Sequence, residues 1–255
     1  MAVSKTIAKF GLTKAFAYLY RDPESNLVKL IDWADKFDRS GQFPAQRAAV
    51  RAAIEDPENA YYPFIRHMLS DLDPEVLTSV AVNFFINGNL VGWQRQEELR
   101  KKYGCNIPWV ILLDPTSACN LHCVGCWAAE YGNKLNLSFE EIDDIIRQGK
   151  EMGVYFYIYT GGEPLVRKKD IIRLCEKHDD CVFLCFTNGT LIDEAFADEM
   201  LRVKNFVPAL SLEGFGEATD SRRGEGVYYK VLQAMEILHR KKLLYGISCC
   251  YTSAN

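Results

Sequence analysis

The sequence predicts an α/β fold that follows an all-helical region, and three observations support this prediction. From residue 109 onward, short apolar runs alternate with amphipathic helical stretches. These runs are apolar at consecutive positions, as expected for strands buried in a parallel sheet. Earlier in the chain, apolar residues recur at helical spacing instead. We therefore expect a helical N-terminal region over residues 1–104 and an α/β domain over residues 105–255.

The N-terminal region carries repeated signals for helix starts and ends. Asp-Pro-Glu occurs at residues 22–24, 56–58 and 73–75, and each copy predicts an N-cap aspartate with proline in the first turn. The basic run Arg100-Lys101-Lys102 followed by Gly104 predicts a helix C-terminus. This region contains no motif that indicates chemistry, and we expect Trp93 to lie in a core or docking surface.

The C-terminal region alternates strands with helices in a regular order. The predicted strands are residues 109–113, 155–159, 182–186, 207–212 and 245–251. The predicted helices are residues 138–152, 168–177, 193–203 and 227–241, and the first begins with a capping box of Ser138 and Glu141. Repeated right-handed βαβ units follow from this order.

Small, polar or charged residues follow every predicted strand. The carboxyl ends of parallel strands meet on one face, where the sites of α/β proteins lie. Three carboxylates, from Asp114, Glu163 and Glu213, are expected on this rim. The complete set of strand-end segments is Asp114-Pro-Thr-Ser117, Thr160-Gly-Gly-Glu163, Thr187-Asn-Gly189, Ser211-Leu-Glu-Gly214 and Thr252-Ser253.

Composition excludes several functional classes. The chain has 255 residues, of which 48% are hydrophobic and 25% charged, and its net charge is −4. This balance gives no nucleic-acid signature. We find no apolar run near the ~20 residues that a membrane span requires, and no secretory signal. We expect a cytoplasmic protein without a membrane span.

Nine cysteines are present, and three of them lie within eight residues, at Cys119, Cys123 and Cys126. Clustered thiolates in a short loop favour an iron–sulfur cluster, and three ligands for four irons leave one iron open for a cofactor or substrate. Zinc remains an alternative, with His122 or Cys105 as a fourth ligand. A redox Cys-x-x-Cys at 123–126 is a further alternative, although it leaves Cys119 without a role. We expect the other cysteines to be mostly structural.

The spacing Cys-x3-Cys-x2-Cys after the first strand resembles the signature of the radical S-adenosylmethionine (radical SAM) superfamily. The resemblance covers residues 109–255 and continues through later segments in the same order: Gly161-Gly162-Glu163-Pro164, Thr187-Asn188-Gly189, Ser211-Leu-Glu-Gly214 and Asp220-Ser-Arg-Arg-Gly224. It implies a partial (β/α) barrel and two cofactors, a 4Fe–4S cluster held by Cys119, Cys123 and Cys126, and S-adenosylmethionine.

The resemblance also implies a reaction and a set of cofactor contacts. Reductive cleavage of S-adenosylmethionine gives a 5′-deoxyadenosyl radical that abstracts hydrogen from a substrate. Glu163 would accept a hydrogen bond from the ammonium group of the cofactor, the two glycines before it would admit the methionine moiety, and Arg223 would pair with the carboxylate. The implied contacts are Gly161, Gly162, Glu163, Asn188, Ser211, Glu213 and Arg223. One departure concerns Gly125, where many members have an aromatic residue; here the aromatic follows at Trp127.

Catalytic side chains and the substrate are not defined by the sequence. Peptide modification or the biosynthesis of cofactors or lipids fits the motifs best, with a one-electron donor such as flavodoxin or ferredoxin as partner. The alternative is a non-catalytic iron–sulfur or zinc-binding protein that retains the fold.

The resemblance implies six barrel strands, whereas five are found before Asn255. The fifth would leave an apolar edge with Tyr245, Ile247 and Tyr251, which folded proteins generally avoid. We therefore expect the sheet to be incomplete at the C-terminus, because the chain is a fragment or because this edge pairs with something else.

Overall fold

The computed structural model describes residues 5–37, 44–132 and 134–251. These residues form two compact units, Met1–Thr78 and Ser79–Asn255. The predicted segment Thr252-Ser253 lies outside the described residues.

The first unit is helical, as predicted. Its helices are α1 (Lys5–Leu19), α2 (Pro23–Phe37), α3 (Pro44–Glu55), α4 (Tyr62–Asp71) and the start of α5 (Pro74–Ala81). Asp73 Oδ1 accepts hydrogen bonds from the backbone N–H groups of Glu75 and Val76 at 2.9 and 3.0 Å, as the Asp-Pro-Glu signal predicts. The helix start predicted from the same signal at Asp56 is wrong. The Asp56 carboxylate accepts a hydrogen bond from Glu58 N–H in a turn, and the next helix begins at Tyr62.

The second unit begins with helical residues that are anchored to the sheet region. Val82–Gly92 forms a π-helix and continues into α6 (Trp93–Tyr103). The buried Asn83 amide donates to the carbonyl groups of Asp179 and Cys181 at 2.7 and 3.1 Å, and Gln96 donates to Gly153 O at 2.8 Å. These residues lie in the same compact unit as the sheet.

The helical stretch Pro74–Tyr103 is, among the described residues, long and apolar enough to cross a membrane by length and composition alone. In the most apolar part of this stretch, 44% is buried within the protein. Core helices of other proteins pass the same test. The sequence analysis overlooked the stretch because its helical length emerges only when α5, the π-helix and α6 are joined.

The α/β region has the predicted element order. Its strands are β1 (Ile111–Leu113), β2 (Phe156–Tyr159), β3 (Val182–Thr187), β4 (Phe206–Ser211) and β5 (Gly246–Ser248). Its helices are α7 (Phe139–Glu151), α8 (Lys168–Lys177), α9 (Glu194–Val203), α10 (Glu217–Arg223) and α11 (Val227–Arg240). Both parts of the predicted Ser138–Glu141 capping box are present. The short helix α10 was not predicted, and β1 and β5 are shorter than expected.

All five strands are parallel and lie in the order β1-β2-β3-β4-β5. One sheet face packs against helices: Tyr157 and Phe183 are fully buried, and the Tyr157 hydroxyl donates to Ile146 O on α7 at 2.9 Å. The opposite face is less covered, with Leu112 57% and Phe186 36% exposed. The apolar character of both faces is thus confirmed, but only one face is closed by the helices of this unit.

Candidate functional site

The three cysteines lie on the irregular loop that follows β1. All are reduced and partly buried. Within this loop Cys126 N–H donates to Cys123 O at 3.2 Å, and the intervening Gly125 has a φ of +68°. This left-handed conformation favours glycine. The departure at Gly125 from the family pattern therefore has a local reason, because an aromatic side chain here would strain the turn.

The Gly161-Gly162-Glu163 segment is bonded to the start of this loop. Gly162 N–H donates to Thr116 O at 3.0 Å, and Glu163 N–H donates to Ala118 O at 2.8 Å. A Cβ atom on Gly162 would stand 2.3 Å from Ala118 O, and one on Gly161 would stand 2.8 Å from Thr116 O. Because both residues are glycine, the backbone of the cysteine loop can pack directly against them. The sequence predicted these glycines as cofactor contacts and did not predict this packing.

Glu163 is buried at the centre of the rim. Its carboxylate accepts hydrogen bonds from Leu165 N–H at 2.9 Å, from the Thr187 hydroxyl at 2.7 Å and from Asn188 N–H at 2.7 Å. Burial raises the pKa of this carboxyl above its ordinary value, against the lowering effect of the three donors. Glu163 thereby joins the segment after β2 to the end of β3.

Asn188 joins the end of β3 to the cysteine loop. Its side-chain amide donates to Asn120 Oδ1 at 2.8 Å, and its own oxygen accepts from Thr190 N–H at 3.0 Å. The Asn120 amide in turn donates to the Thr190 hydroxyl at 2.9 Å. Because Asn120 directly follows Cys119, this network fixes the backbone beside the first thiol. Sequence reasoning missed Asn120, although its position inside the cysteine motif was a signal.

Glu213 lies at the end of β4 and is 3% exposed. Arg223 Nε donates to its Oε1 at 2.9 Å, Arg222 Nη1 lies 2.9 Å from the same oxygen, and Cys250 N–H donates to Oε2 at 2.8 Å. Ser211, the last residue of β4, is partly buried and pairs with Ser248 of β5. The structure thus brings to Glu213 both Arg223, which the sequence predicted for the site, and its neighbour Arg222, which it did not.

The electrostatic surroundings differ between the thiols. Burial raises the pKa of the Cys119 and Cys123 thiols. At Cys123 this effect is opposed by Arg223, whose Nη1 lies 4.0 Å from the Sγ atom. Asp114, the third predicted carboxylate, is exposed at the end of β1, and partial desolvation raises its pKa.

The remaining cysteines divide by burial. Cys175, Cys181 and Cys185 are buried, as their structural interpretation requires, whereas Cys105, Cys249 and Cys250 are exposed. Within the described parts of the chain, no three His, Cys, Asp or Glu side chains converge as the ligands of a single metal ion would. Thiolates on different irons of a cubic cluster need no such convergence, because each binds its own iron.

The family model of the radical SAM superfamily matches residues 113–252, more than half of the chain. The chain belongs to the radical SAM superfamily. This superfamily consists of enzymes that use a 4Fe–4S cluster and S-adenosylmethionine, and the fold is the partial barrel that the sequence predicted. The matched residues contain the whole rim described above.

Two relatives agree with this membership, and one solved structure shares the fold. Fe-coproporphyrin III synthase of Methanosarcina barkeri is 30% identical over 145 residues, covering 54% of this chain and 36% of that protein. GTP 3′,8-cyclase of Desulforamulus reducens is 33% identical over 156 residues, covering 55% and 47%. The crystal structure of Streptococcus suis SuiB bound to S-adenosylmethionine superimposes with a TM-score of 0.55 at 22% identity, covering 64% and 39%. The matched part spans less than half the length of each.

Proposed function

We propose that this chain carries the catalytic core of a radical SAM enzyme, with Cys119, Cys123 and Cys126 as the three ligands of the 4Fe–4S cluster. The observation that carries the proposal is the anchored loop: backbone and side-chain hydrogen bonds from the ends of β2 and β3 and from α10 all hold the segment bearing these thiols. When bound, the cluster and S-adenosylmethionine supply the electron transfer and the 5′-deoxyadenosyl radical that abstracts hydrogen from a substrate.

The donor set fits this cluster. Three partly buried thiols on one short loop match thiolate ligation of three irons, which leaves the fourth iron for the amino and carboxylate groups of S-adenosylmethionine. Structural zinc normally requires four converging donors. Cys105 and His122 remain candidates for a fourth donor, and the experiment below includes the cysteine.

The residues proposed for S-adenosylmethionine have two kinds of role. Ser211 and Arg223 are partly buried, and they would contact the cofactor directly; Arg223 would do so through Nη1, because its Nε and Nη2 donate to Glu213. Glu163, Asn188 and Glu213 form hydrogen bonds within the protein, and they would act by holding the rim in shape. Gly161 and Gly162 would present backbone atoms to the cofactor while packing against the cysteine loop.

The substrate class is proposed more broadly. One relative forms Fe-coproporphyrin III and another cyclises GTP, as their names state. These activities support cofactor biosynthesis, beside lipid biosynthesis or peptide modification, as the setting of the reaction. A one-electron donor such as flavodoxin or ferredoxin would reduce the cluster in the cytoplasm, and the less covered sheet face around Leu112 and Phe186 would receive substrate.

Anaerobic reconstitution tests the cluster assignment. The wild-type chain should bind about four irons and four sulfides. Replacing Cys119, Cys123 and Cys126 by alanine should abolish the brown colour and the paramagnetic signal of the reduced cluster. Cys105→Ala, which removes an exposed thiol outside the motif, is the matched control and should keep both. A full cluster in the triple variant would overturn the proposal, and zinc bound in its place, lost in Cys105→Ala, would establish the alternative.

A further inference from the structure

A buried ionic group connects the segment that follows β4 to the middle of the cysteine loop. It consists of Glu213, Arg222 and Arg223. The Glu213 side chain is 1% exposed, and those of Arg222 and Arg223 are 27% and 13% exposed. A buried carboxylate is costly unless it is paired and hydrogen-bonded. Here Arg223 and the Cys250 N–H donate hydrogen bonds to it, and Arg222 Nη1 lies 2.9 Å from Oε1 as an ion pair.

Each arginine reaches a different part of the loop. Arg222 exchanges two bonds with Val124: Val124 N–H donates to Arg222 O at 2.7 Å, and Arg222 Nε donates to Val124 O at 3.3 Å. Arg223 points its Nη1 at Cys123 Sγ, 4.0 Å away. Because Cys123 and Val124 are adjacent, the ionic group contacts the loop at its second thiol.

We propose that Glu213, Arg222 and Arg223 are positioning residues for the cluster, in which Glu213 orients Arg223 toward the second thiolate and Arg222 toward the loop backbone. This inference rests on the proposed cluster ligation. It assigns Glu213 to the cluster loop and not to contact with S-adenosylmethionine. The cation beside Cys123 stabilises added negative charge, so it favours the reduced cluster.

The first test uses the apo-protein and needs no cluster. Glu213→Gln leaves either the arginines or the Cys250 N–H without its acceptor, because an amide offers one oxygen in place of two. Hydrogen–deuterium exchange at the Val124 amide should become at least about tenfold faster, the size expected when a charged hydrogen bond is lost. Arg202→Gln, which removes two exposed ion pairs, to Glu176 on α8 and to Glu199 on α9, should leave this rate unchanged.

Exchange at amides in α7 and α8 serves as the internal reference for folding. If those helices keep their protection in Glu213→Gln and Val124 exchanges as in the wild type, the inference that Glu213 holds the loop in place is disproved. If protection is lost throughout Glu213→Gln, Arg222→Lys replaces it in the same measurement, because lysine keeps the charge but lacks the planar fork whose Nε donates to Val124 O. A wild-type rate at Val124 in Arg222→Lys would then overturn the inference.

The second test measures the reduction potential of the reconstituted cluster by spectroscopic titration. Arg223→Gln should lower the midpoint potential, Arg223→Lys should restore it toward the wild-type value, and Arg202→Gln should not change it. An unchanged potential in Arg223→Gln would contradict the inference. If neither Arg223 variant holds a cluster, the exchange experiment decides. A wild-type chain without a cluster but with the predicted exchange response would refute the cluster proposal alone.

Discussion

Replacing Glu163 by glutamine tests whether this buried residue holds the rim together. Its two carboxylate oxygens accept three hydrogen bonds, two on Oε1 and one on Oε2. A glutamine supplies one acceptor oxygen, and its NH₂ group would face a buried N–H donor in either orientation. A buried unsatisfied donor costs about 1–3 kcal/mol. We expect a loss of about 2 kcal/mol, equivalent to roughly 30-fold in a local opening equilibrium.

The assay is hydrogen–deuterium exchange at the amides of Leu165 and Asn188, whose N–H groups donate hydrogen bonds to the carboxylate. At least one of them, the amide that faces the glutamine NH₂ group, should exchange roughly 30-fold faster in Glu163→Gln at neutral pH. Burial raises the folded-state pKa of Glu163, so its ionised form costs stability as pH rises through that value. The wild type therefore gains stability from this group as pH falls, and the deficit of the variant should widen toward acid. Unchanged exchange at both amides would refute the structural role and leave direct contact with S-adenosylmethionine as the explanation.

Two further predictions concern the rim and its surroundings. Gly162→Ala would place a Cβ atom 2.3 Å from Ala118 O, so we expect about 1–3 kcal/mol of destabilisation and less iron after reconstitution. Gly246→Ala, whose Cβ would meet open space, should change neither the stability nor the iron content. Equal iron in the two variants would contradict the packing argument. Asp193 caps α9 and accepts a hydrogen bond from Lys168, and the contact with Lys168 lowers the pKa of Asp193 below the ordinary 3.8. Asp193→Ala should therefore lower the free energy of unfolding in urea at pH 7 by about 1 kcal/mol. Asp193→Asn should keep the cap and lose only the ion pair. A depressed folded pKa gives stability that is present above the unfolded value and lost as pH falls through the folded one, so the advantage of the wild type over Asp193→Asn should vanish in that acidic range; an advantage that persists there would contradict the assignment.

The fold could be predicted because its signals are local. Alternating buried runs, amphipathic helices and the Ser138 cap each depend on neighbours in the sequence, and the parallel order follows from the chirality of βαβ units. The π-helix could not be predicted in this way. Its Asn83 side chain is held by carbonyl groups at Asp179 and Cys181, nearly a hundred residues later in the chain.

The members of the site could be predicted, but not their contacts. The motif order identified Gly162, Glu163 and Asn188 as rim residues, and the structure brings them together at the cysteine loop. Their partners come from other strand ends, so spacing alone could not show that Glu163 accepts hydrogen bonds from Thr187 and Asn188. Similarly, the need for glycine at position 162 arises from the Ala118 carbonyl, which reaches it only in the folded sheet.

The most direct test of the central claim is reductive cleavage of S-adenosylmethionine by the reconstituted chain. With a strong one-electron reductant and no added substrate, the wild-type protein should form 5′-deoxyadenosine and methionine in equal amounts. The variant with alanine at Cys119, Cys123 and Cys126 should form neither, and Cys105→Ala should behave as the wild type. A wild-type chain that holds its full cluster and binds S-adenosylmethionine but yields no 5′-deoxyadenosine would contradict the account.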